Sequence, residues 1–276
     1  MNTSSFQSLI WSFYKEHKRE LPWRPPTLQI QKDGTLNPYH ILVSEIMLQQ
    51  TQVSRVFQKF PLFIQAFPSF AHLASAPLTS VLQAWQGMGY NRRGKYLHET
   101  AKIIAQKYWG VIPQDPQKLV QLPGIGPATA GSMIVFIYNK PLVFIETNIR
   151  RVFIHHFFKD SSNIHDKEIM SLVEKTLRHN NPREWYYALM DYGSYLAKHI
   201  PNPNRKSKHY TKQSKFEGSN RQVRGAVLQF LLEKNHQKIA SIYQSLDFEN
   251  VRIDAVLQDM KKEGFVKEEK EVYSIK

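Results

Sequence analysis

Two glutamates stand in contrasting settings in the sequence, and acid–base chemistry requires such a contrast. Glu45 lies in a helix predicted from Tyr39 to Val53, where it forms a polar stripe with Gln49 and Gln52 between apolar neighbours. Partial burial there is expected to raise the pKa of the Glu45 carboxyl, as a general acid working near neutral pH requires. The alternative is an exposed glutamate on an ordinary amphipathic helix.

Glu146 has the opposite setting. It directly precedes a predicted helix that Thr147 or Asn148 would cap, and the positive end of the helix dipole favours an ionised carboxyl. Two carboxyls whose pKa values are pushed apart suggest one proton donor and one anion. The alternative is an acid at a helix start that merely complements the dipole, which is an extremely common arrangement.

A glycine-rich turn lies between the two acids in the sequence, in the stretch Leu122–Gly131, and a helix is predicted from Thr129 to Tyr138. Gly124 and Gly126 permit a tight turn after a short helix, so that backbone N–H groups point outward at the start of the second helix. Such a helix-hairpin-helix can bind a phosphate of a nucleic-acid backbone. The alternative is a glycine–proline turn that binds nothing.

The composition favours an anionic partner and excludes several cofactors. The 276 residues carry a formal net charge of +14, which together with the many aromatic residues favours nucleic acid over a membrane. A merely soluble basic protein is the alternative. The absence of cysteine excludes disulfides, thiolate zinc sites and cysteine-ligated iron–sulfur clusters. No signal peptide or transmembrane span is predicted, so we expect a cytoplasmic, nucleoid-associated protein.

The first two hundred residues are predicted to be all-helical. The segment from Lys198 to Arg224 contains eight lysines and arginines but only one acid, Glu217, which indicates a basic connector. Three helices and a two-stranded ribbon around Lys267–Lys270 then predict a winged helix-turn-helix. Whether this module contacts DNA or only covers the helical core stays open.

Several strings of the sequence, in this order and spacing, resemble the helix-hairpin-helix DNA glycosylase superfamily, and most closely its adenine glycosylases of the MutY type. The matching strings are Leu21-Pro-Trp-Arg24, Ser44–Val53, Trp85–Tyr90, Leu122–Gly131 and Asn148-Ile-Arg-Arg-Val152. The resemblance implies an all-α, two-subdomain core over residues 1–200, with a six-helix subdomain at about 38–138 and a second subdomain from 1–30 plus 139–200. A basic linker at 201–218 and a small winged-helix-like module at 219–276 would follow.

The resemblance also implies a reaction, in which a mispaired base is flipped out of the duplex, protonated and released through a cation-like sugar. By position, Glu45 would protonate the base, Glu146 would stabilise the cation and Asn148 would position the carboxylate. Gln49, Gln50 and Tyr90 would probe the duplex where the base has left, although Tyr90 can also be read as a core residue. The hairpin residues expected to contact DNA are Gly124, Gly126, Pro127, Ala128 and Thr129, and an alkali-metal ion at the hairpin is the only cofactor implied.

This sequence departs from the family pattern at four places. Glu146 replaces an aspartate, and the extra methylene shifts the carboxylate by about a bond length. Ala128 stands where glycosylases that also cleave the strand carry a lysine, so the enzyme is expected to lack abasic-site lyase activity. The four cluster cysteines are missing, and Arg205, Lys206 and Lys208 are expected to contact DNA instead. The C-terminal module is too small to be the family's domain for oxidised guanine.

The sequence therefore predicts a monomeric, monofunctional DNA glycosylase of base excision repair that acts on double-stranded DNA. The first expected substrate is adenine opposite guanine or 8-oxoguanine. Excision of uracil or thymine from mismatches on the same scaffold is one alternative. A catalytically silent DNA-binding protein is the other.

Overall fold

The computed structural model describes residues 1–276 and is predominantly helical, which confirms the predicted all-α core. None of its helices is long and apolar enough to span a membrane. The chain forms two compact units. The first consists of Met1–Glu45 and Ile112–Lys212, and the second of Ile46–Val111 and Gln213–Lys276.

The first unit contains most of helix α2, whose last three residues belong to the second unit, and six further α-helices. Their bounds are α1 Thr3–His17, α2 Pro38–Leu48, α7 Pro116–Leu119, α8 Pro127–Tyr138, α9 Thr147–Phe157, α10 Asp166–Thr176 and α11 Pro182–His199, and a 3-10 helix spans Pro203–Lys206. The second unit has α3 Val53–Ala66, α4 Phe70–Ser75, α5 Leu78–Ala84, α6 Arg92–Lys107, α12 Asn220–Glu233, α13 Ile239–Ser245 and α14 Asn250–Lys262, with strands β1 Gln237–Lys238, β2 Val266–Glu269 and β3 Val272–Ile275.

The core of the first unit is built where α11 packs against α9, α1 and α8. Its largest fully buried side chains are aromatic, and Phe6 lies against Phe153 and Trp185 with ring centroids 5.2 and 6.2 Å apart. Gly193 allows α11 to approach α9 closely, because a Cβ at this position would lie 2.6 Å from the carbonyl oxygen of Asn148. This close approach fixes the start of α9.

The second unit joins the C-terminal module to the helices α3–α6. The order of elements from α12 to β3 and the sheet order β1-β3-β2 are those of a winged helix, with Val266 opposite Ile275 in the antiparallel ribbon. This confirms the predicted winged module and adds strand β1, which is too short to give an alternating pattern. Leu82 of α5 belongs to the same buried cluster as Val223, Leu231 and Leu257 of the module. The module thus shares its core with the preceding helices.

The division into units differs from the predicted domains. The hairpin helices α7 and α8, which the prediction placed in a six-helix subdomain at 38–138, belong to the first unit. Residues 201–208 of the predicted linker also fold onto the first unit, since Pro203 and Asn204 are buried and the Asn204 amide donates to the Thr147 carbonyl oxygen at 3.0 Å. The basic composition of this segment concealed its packing.

Helix α2 is shorter than predicted. It ends at Leu48 rather than Val53, so Glu45, Gln49 and Gln52 do not form one helical stripe. The cause is Arg93, whose buried guanidinium donates to the carbonyl oxygens of Ile46 and Met47 at 3.0 and 2.9 Å. In a longer helix, these oxygens would accept N–H groups of the next turn. Here the Arg93 guanidinium takes the place of those donors, and the chain leaves the helix.

Candidate active site

Glu45 lies near the C-terminal end of α2, and its carboxyl contacts α8. Its Oε2 atom is hydrogen-bonded to the hydroxyl of Ser132. The same hydroxyl lies 3.0 Å from the carbonyl oxygen of Thr129, one turn earlier in α8. The Ser132 hydroxyl is the donor in both contacts, so its single proton is shared between the Thr129 carbonyl oxygen and the Glu45 carboxyl.

Burial raises the pKa of Glu45 to about 7. The Ser132 bond and Arg24 act in the opposite direction, and the charge of Glu146 raises the pKa further. The influence of Glu146 shows that the two carboxyls, a hundred residues apart in sequence, lie within electrostatic reach in the first unit. Glu45 is therefore a carboxyl that retains its proton close to neutral pH.

Glu146 is itself the N-cap of α9, which corrects the prediction that Thr147 or Asn148 caps this helix. Its Oε1 atom accepts the backbone N–H groups of Asn148 and Ile149, both at 2.8 Å. The longer side chain of glutamate folds back over the helix start and satisfies two N–H groups that have no partner within the helix.

The charge state of Glu146 is set by opposing effects, whereas the sequence predicted only the effect of the dipole. Burial raises the pKa of Glu146, and the N–H bonds of Asn148 and Ile149 with the nearby charges of Arg151 and Arg150 lower it. Burial is the largest of these effects, and the pKa of Glu146 is raised from its usual value. The N–H groups and arginines beside Glu146 favour its ionised form, whereas burial favours the protonated form of Glu45.

Asn148 holds the second carboxylate oxygen. Its Nδ2 donates to Oε2 of Glu146 at 3.2 Å, and its Oδ1 accepts from Nη1 of Arg151 at 2.7 Å. Arg151 also donates to the carbonyl oxygen of Gly193 at 2.8 Å, which ties the arrangement to α11. The amide orientation of Asn148 is thus fixed by a donor on one side and an acceptor on the other.

Three further residues of this site carried no predicted role. The sequence places Ser132 in the helix predicted from Thr129 to Tyr138 and Arg24 in the string Leu21-Pro-Trp-Arg24, and neither pattern indicates a role in the site. Arg24 is buried, donates to Asp191 at 2.7 Å and lies 4.2 Å from the ring centroid of Tyr187. The hydroxyl of Tyr187 is buried without a hydrogen-bond partner, and the charge of Glu45 adds to the burial that raises the pKa of Tyr187. No local sequence pattern distinguishes Tyr187 from its aromatic neighbours.

The hairpin between α7 and α8 has the predicted form. Gly124 adopts a positive φ of 76°, a conformation that favours glycine, and Ile125 is buried and anchors the turn. Gly126, Pro127 and Ala128 are exposed at the start of α8, and Thr129 is half-buried. This helix start presents N–H groups and a positive dipole end on the surface of the first unit.

The residues predicted to probe the duplex lie in the second unit. Gln49 and Gln50 follow the end of α2, and Tyr90 precedes α6. Gln50 and Tyr90 both have a left-handed backbone, with φ of 51° and 47°, which is uncommon for residues other than glycine. Arg93 braces both turns, since it donates to Oγ1 of Thr51 and to carbonyl oxygens beside Tyr90.

The three basic residues predicted to contact DNA after α11 differ in accessibility. Arg205 and Lys208 are exposed. Lys206 is half-buried, and its ammonium donates to the carbonyl oxygens of Phe158 and Lys159. Part of the charge of this segment therefore serves its own packing.

The residues present do not fit an iron–sulfur cluster, because the chain has no cysteine. No group of three or more histidines and acids is arranged to hold a metal ion either.

The family described as HhH-GPD superfamily base excision DNA repair protein matches residues 43–179, which include both acids and the hairpin. This part of the chain belongs to that superfamily. Among similar proteins, the adenine DNA glycosylase of Buchnera aphidicola subsp. Baizongia pistaciae is 38% identical over 202 residues, covering 71% of this chain and 54% of the relative. The adenine DNA glycosylase of Mycolicibacterium smegmatis is 41% identical over 152 residues, covering 55% and 48%.

The chain spans about half the length of these relatives. Among solved structures, a thermostable thymine-DNA glycosylase superimposes with a TM-score of 0.61 at 24% identity, covering 75% of this chain and 90% of that one. This likeness confirms the predicted glycosylase fold.

Proposed function

We propose that this chain is a monofunctional DNA glycosylase that hydrolyses the N-glycosidic bond of a mispaired adenine, opposite guanine or 8-oxoguanine. The observation that carries the proposal is the pair of buried carboxyls, with the pKa of Glu45 raised to about 7 by burial and Glu146 fixed by three hydrogen bonds. The similarity to proteins named adenine DNA glycosylase supports the choice of base.

In the proposed reaction, the target nucleotide is flipped out of the duplex and its base accepts the proton of Glu45 at a ring nitrogen. The bond between C1′ and the base then breaks, and its electron pair leaves with the protonated base. The carboxylate of Glu146 stabilises the positive charge on the sugar, and Asn148 holds that carboxylate in place. Water adds to C1′ and loses a proton, which leaves an abasic site.

Each unit offers candidate DNA contacts of its own. The exposed hairpin at Gly126–Ala128 would bind a backbone phosphate, and Arg205 and Lys208 would add positive charge. Gln49, Gln50 and Tyr90 would fill the gap that the flipped nucleotide leaves. The hairpin's carbonyl oxygens are also the donor type that an alkali-metal ion takes, and no chemical step depends on such an ion. The protein would act on double-stranded DNA as a monomer.

The absence of lyase activity is part of the proposal. A glycosylase that cleaves the strand attacks C1′ with an amine and forms a Schiff base. Ala128, at the exposed start of α8, has no nucleophilic atom. Water is therefore the expected nucleophile, and borohydride should trap no covalent complex.

The test is a panel of duplex oligonucleotides that each carry one mismatch or lesion: adenine, uracil, thymine or an alkylated base. Each is incubated with the protein and then heated in alkali, which cleaves abasic sites. Alkali-dependent cleavage at adenine supports the proposal, and we expect the Glu45→Gln variant to release base roughly 10²–10⁴-fold more slowly. Cleavage only at uracil or thymine would reassign the substrate. Binding without cleavage would indicate a catalytically silent protein.

A further inference from the structure

The segment that follows α11 is anchored to the loop between α9 and α10. The backbone N–H of Ile164, a buried residue of that loop, donates to the carbonyl oxygen of Lys206 at 2.9 Å. The carbonyl oxygen of Ile164 accepts the N–H of Lys208 at 2.9 Å, so that the two strands of chain form an isolated parallel bridge. This bridge fixes the 3-10 helix Pro203–Lys206 in place beside α9.

The 3-10 helix contacts both ends of α9. Near the C-terminal end, the ammonium of Lys206 donates to the carbonyl oxygens of Phe158 and Lys159. Carbonyl groups at a helix C-terminus have no partner within the helix, and a cation is favourable there. At the other end, Nδ2 of Asn204 donates to the carbonyl oxygen of Thr147, the first residue of α9, at 3.0 Å. The segment therefore restrains α9 at both ends.

One peptide group connects Asn204 with Glu146. The carbonyl of Thr147 and the N–H of Asn148 belong to the same planar amide, in which the two groups point in opposite directions. The carbonyl accepts from Asn204, and the N–H donates to Oε1 of Glu146 at 2.8 Å. Fixing one end of a planar amide fixes the direction of the other, and hydrogen bonds in a chain strengthen one another. The Asn204 bond therefore directs this N–H towards the Glu146 carboxylate.

The side chain of Asn204 makes this bond at a cost in stability. Asn204 is only 5% exposed, and its Oδ1 atom is buried without a hydrogen-bond partner. A carbonyl oxygen can only accept, so the amide nitrogen has to face Thr147, and Oδ1 is left unpaired. An unpaired buried oxygen is destabilising, and an apolar side chain of the same size would avoid it. The contact with Thr147, rather than packing, accounts for an asparagine at this position.

We propose that Asn204 is a positioning residue for base release, because it orients the peptide group between Thr147 and Asn148 and thereby holds the carboxylate of Glu146. An N–H group that points at a carboxylate also stabilises its charge. In a chain without cysteine, hydrogen bonds of the segment after α11 would thus support the charged residue of the active site. The inference rests on the proposed function, in which that charge stabilises the sugar cation.

Other charged groups also act on Glu146, and they come from several elements. They are Glu45 in α2, Arg19 after α1, and Arg150 and Arg151 in α9, of which Arg150 is paired with Asp166 of α10. Substitution of Asn204 changes none of these charges. A change in the ionisation of Glu146 in such a variant would therefore report on the peptide group.

The test is a carbon-13 NMR titration of the Glu146 carboxyl, assigned by its absence from the spectrum of Glu146→Gln. Asn204→Leu keeps the size of the side chain and removes the donor together with the unpaired oxygen. We expect the titration midpoint of Glu146 to be about 0.5–1 pH unit higher in this variant, because a bond that stabilises the ionised form is weakened. Asn204→Ala removes the same donor with less apolar bulk and should give the same result, so the test does not depend on the folding of one variant.

Single-turnover base release from a duplex with adenine opposite guanine is the second measurement. Because the charge of Glu146 is needed, Asn204→Leu should slow base release roughly three- to tenfold at about pH 6, with duplex affinity in anisotropy unchanged. The loss should decrease as pH rises and Glu146 becomes ionised in both proteins. A general loss of structure would instead slow base release to the same extent at every pH.

The matched control is Gln7→Leu, which removes another bond from a side-chain amide to a helix carbonyl, that of Thr176 at 2.9 Å, in the same unit. We expect its Glu146 midpoint and its rate of base release to equal those of the wild type. The proposal is overturned if both Asn204 variants have the wild-type midpoint, or if the control shifts the midpoint as much. A wild type that releases no base would refute the proposed function, and the titration would still decide whether Asn204 positions Glu146.

Discussion

Glu45→Gln is expected to stabilise the folded protein near and above neutral pH while it slows base release. Burial raises the pKa of Glu45 in the folded state from its usual 4.5 to about 7. The folded state therefore binds a proton between these values that the unfolded chain has already lost, and stability decreases as pH rises through this interval. Glutamine is neutral throughout, and its amide oxygen can accept the hydrogen bond from Ser132 as the carboxyl does.

The size of the effect follows from the shift. Each pKa unit corresponds to about 1.4 kcal/mol, so a rise from 4.5 to about 7 amounts to roughly 3 kcal/mol. The difference in unfolding free energy between Glu45→Gln and wild type should thus grow by up to about 3 kcal/mol between pH 4.5 and pH 8, in favour of the variant. Urea denaturation followed by circular dichroism at several pH values measures it.

The control is Glu20→Gln, which makes the same change at an exposed position. If the stability difference for Glu45→Gln has the same pH dependence as the difference for this control, the argument that Glu45 holds its proton near neutrality is refuted. The same ionisation should govern catalysis. Single-turnover base release by the wild type should decrease as pH rises above about 7, because Glu45 then loses the proton that it would donate to the base.

Four further substitutions separate chemistry, binding and stability. Glu146→Gln keeps an oxygen for the two N–H groups of α9 but loses the charge, so base release should slow by about 10²–10³-fold with duplex affinity unchanged in anisotropy. In Gly126→Ala the added methyl group would enter open space, and φ is an ordinary −91°, so the melting temperature should be unchanged. The same methyl group would keep a phosphate away from the hairpin N–H groups, so duplex binding should weaken several-fold. Gly193→Ala would place a Cβ 2.6 Å from the Asn148 carbonyl oxygen, and denaturation should show a loss of about 1–3 kcal/mol together with slower base release. Tyr187→Phe removes a buried hydroxyl that has no partner, so stability should be equal or higher, and any loss of activity in single-turnover assays would assign that hydroxyl to the substrate.

Local patterns predicted the parts of this molecule that depend on neighbouring residues. The hairpin follows from two glycines before a helix, and the winged module follows from three periodic helices and a ribbon. The two acids were singled out because each has a distinctive flanking sequence. That the two acids lie close together could be predicted only from the family resemblance, because no local pattern between residues 45 and 146 indicates their distance in space.

The errors have different physical causes. The early end of α2 depends on Arg93, which donates to Ile46 across 47 residues of sequence. The sequence predicted Thr147 or Asn148 as the N-cap because threonine and asparagine have a high propensity for that position. Glutamate, which caps the helix here, is rarely found there. The packing of Asn204 onto the first unit was hidden by the charge of its neighbours.

Glutamate in place of the family's aspartate bears on the mechanism through geometry. Both backbone bonds go to Oε1 and the Asn148 amide goes to Oε2, so the carboxylate is fixed rather than free to move towards the sugar. A covalent bond to C1′ would require such movement. Electrostatic stabilisation does not require this movement. Moving the carboxylate from about 4 to about 5.5 Å from the cationic sugar, at an effective dielectric constant near 20, costs only about 1 kcal/mol of attraction. That is roughly a fivefold effect on rate. The fixed geometry of Glu146 therefore favours stabilisation of the cation by charge over attack on it.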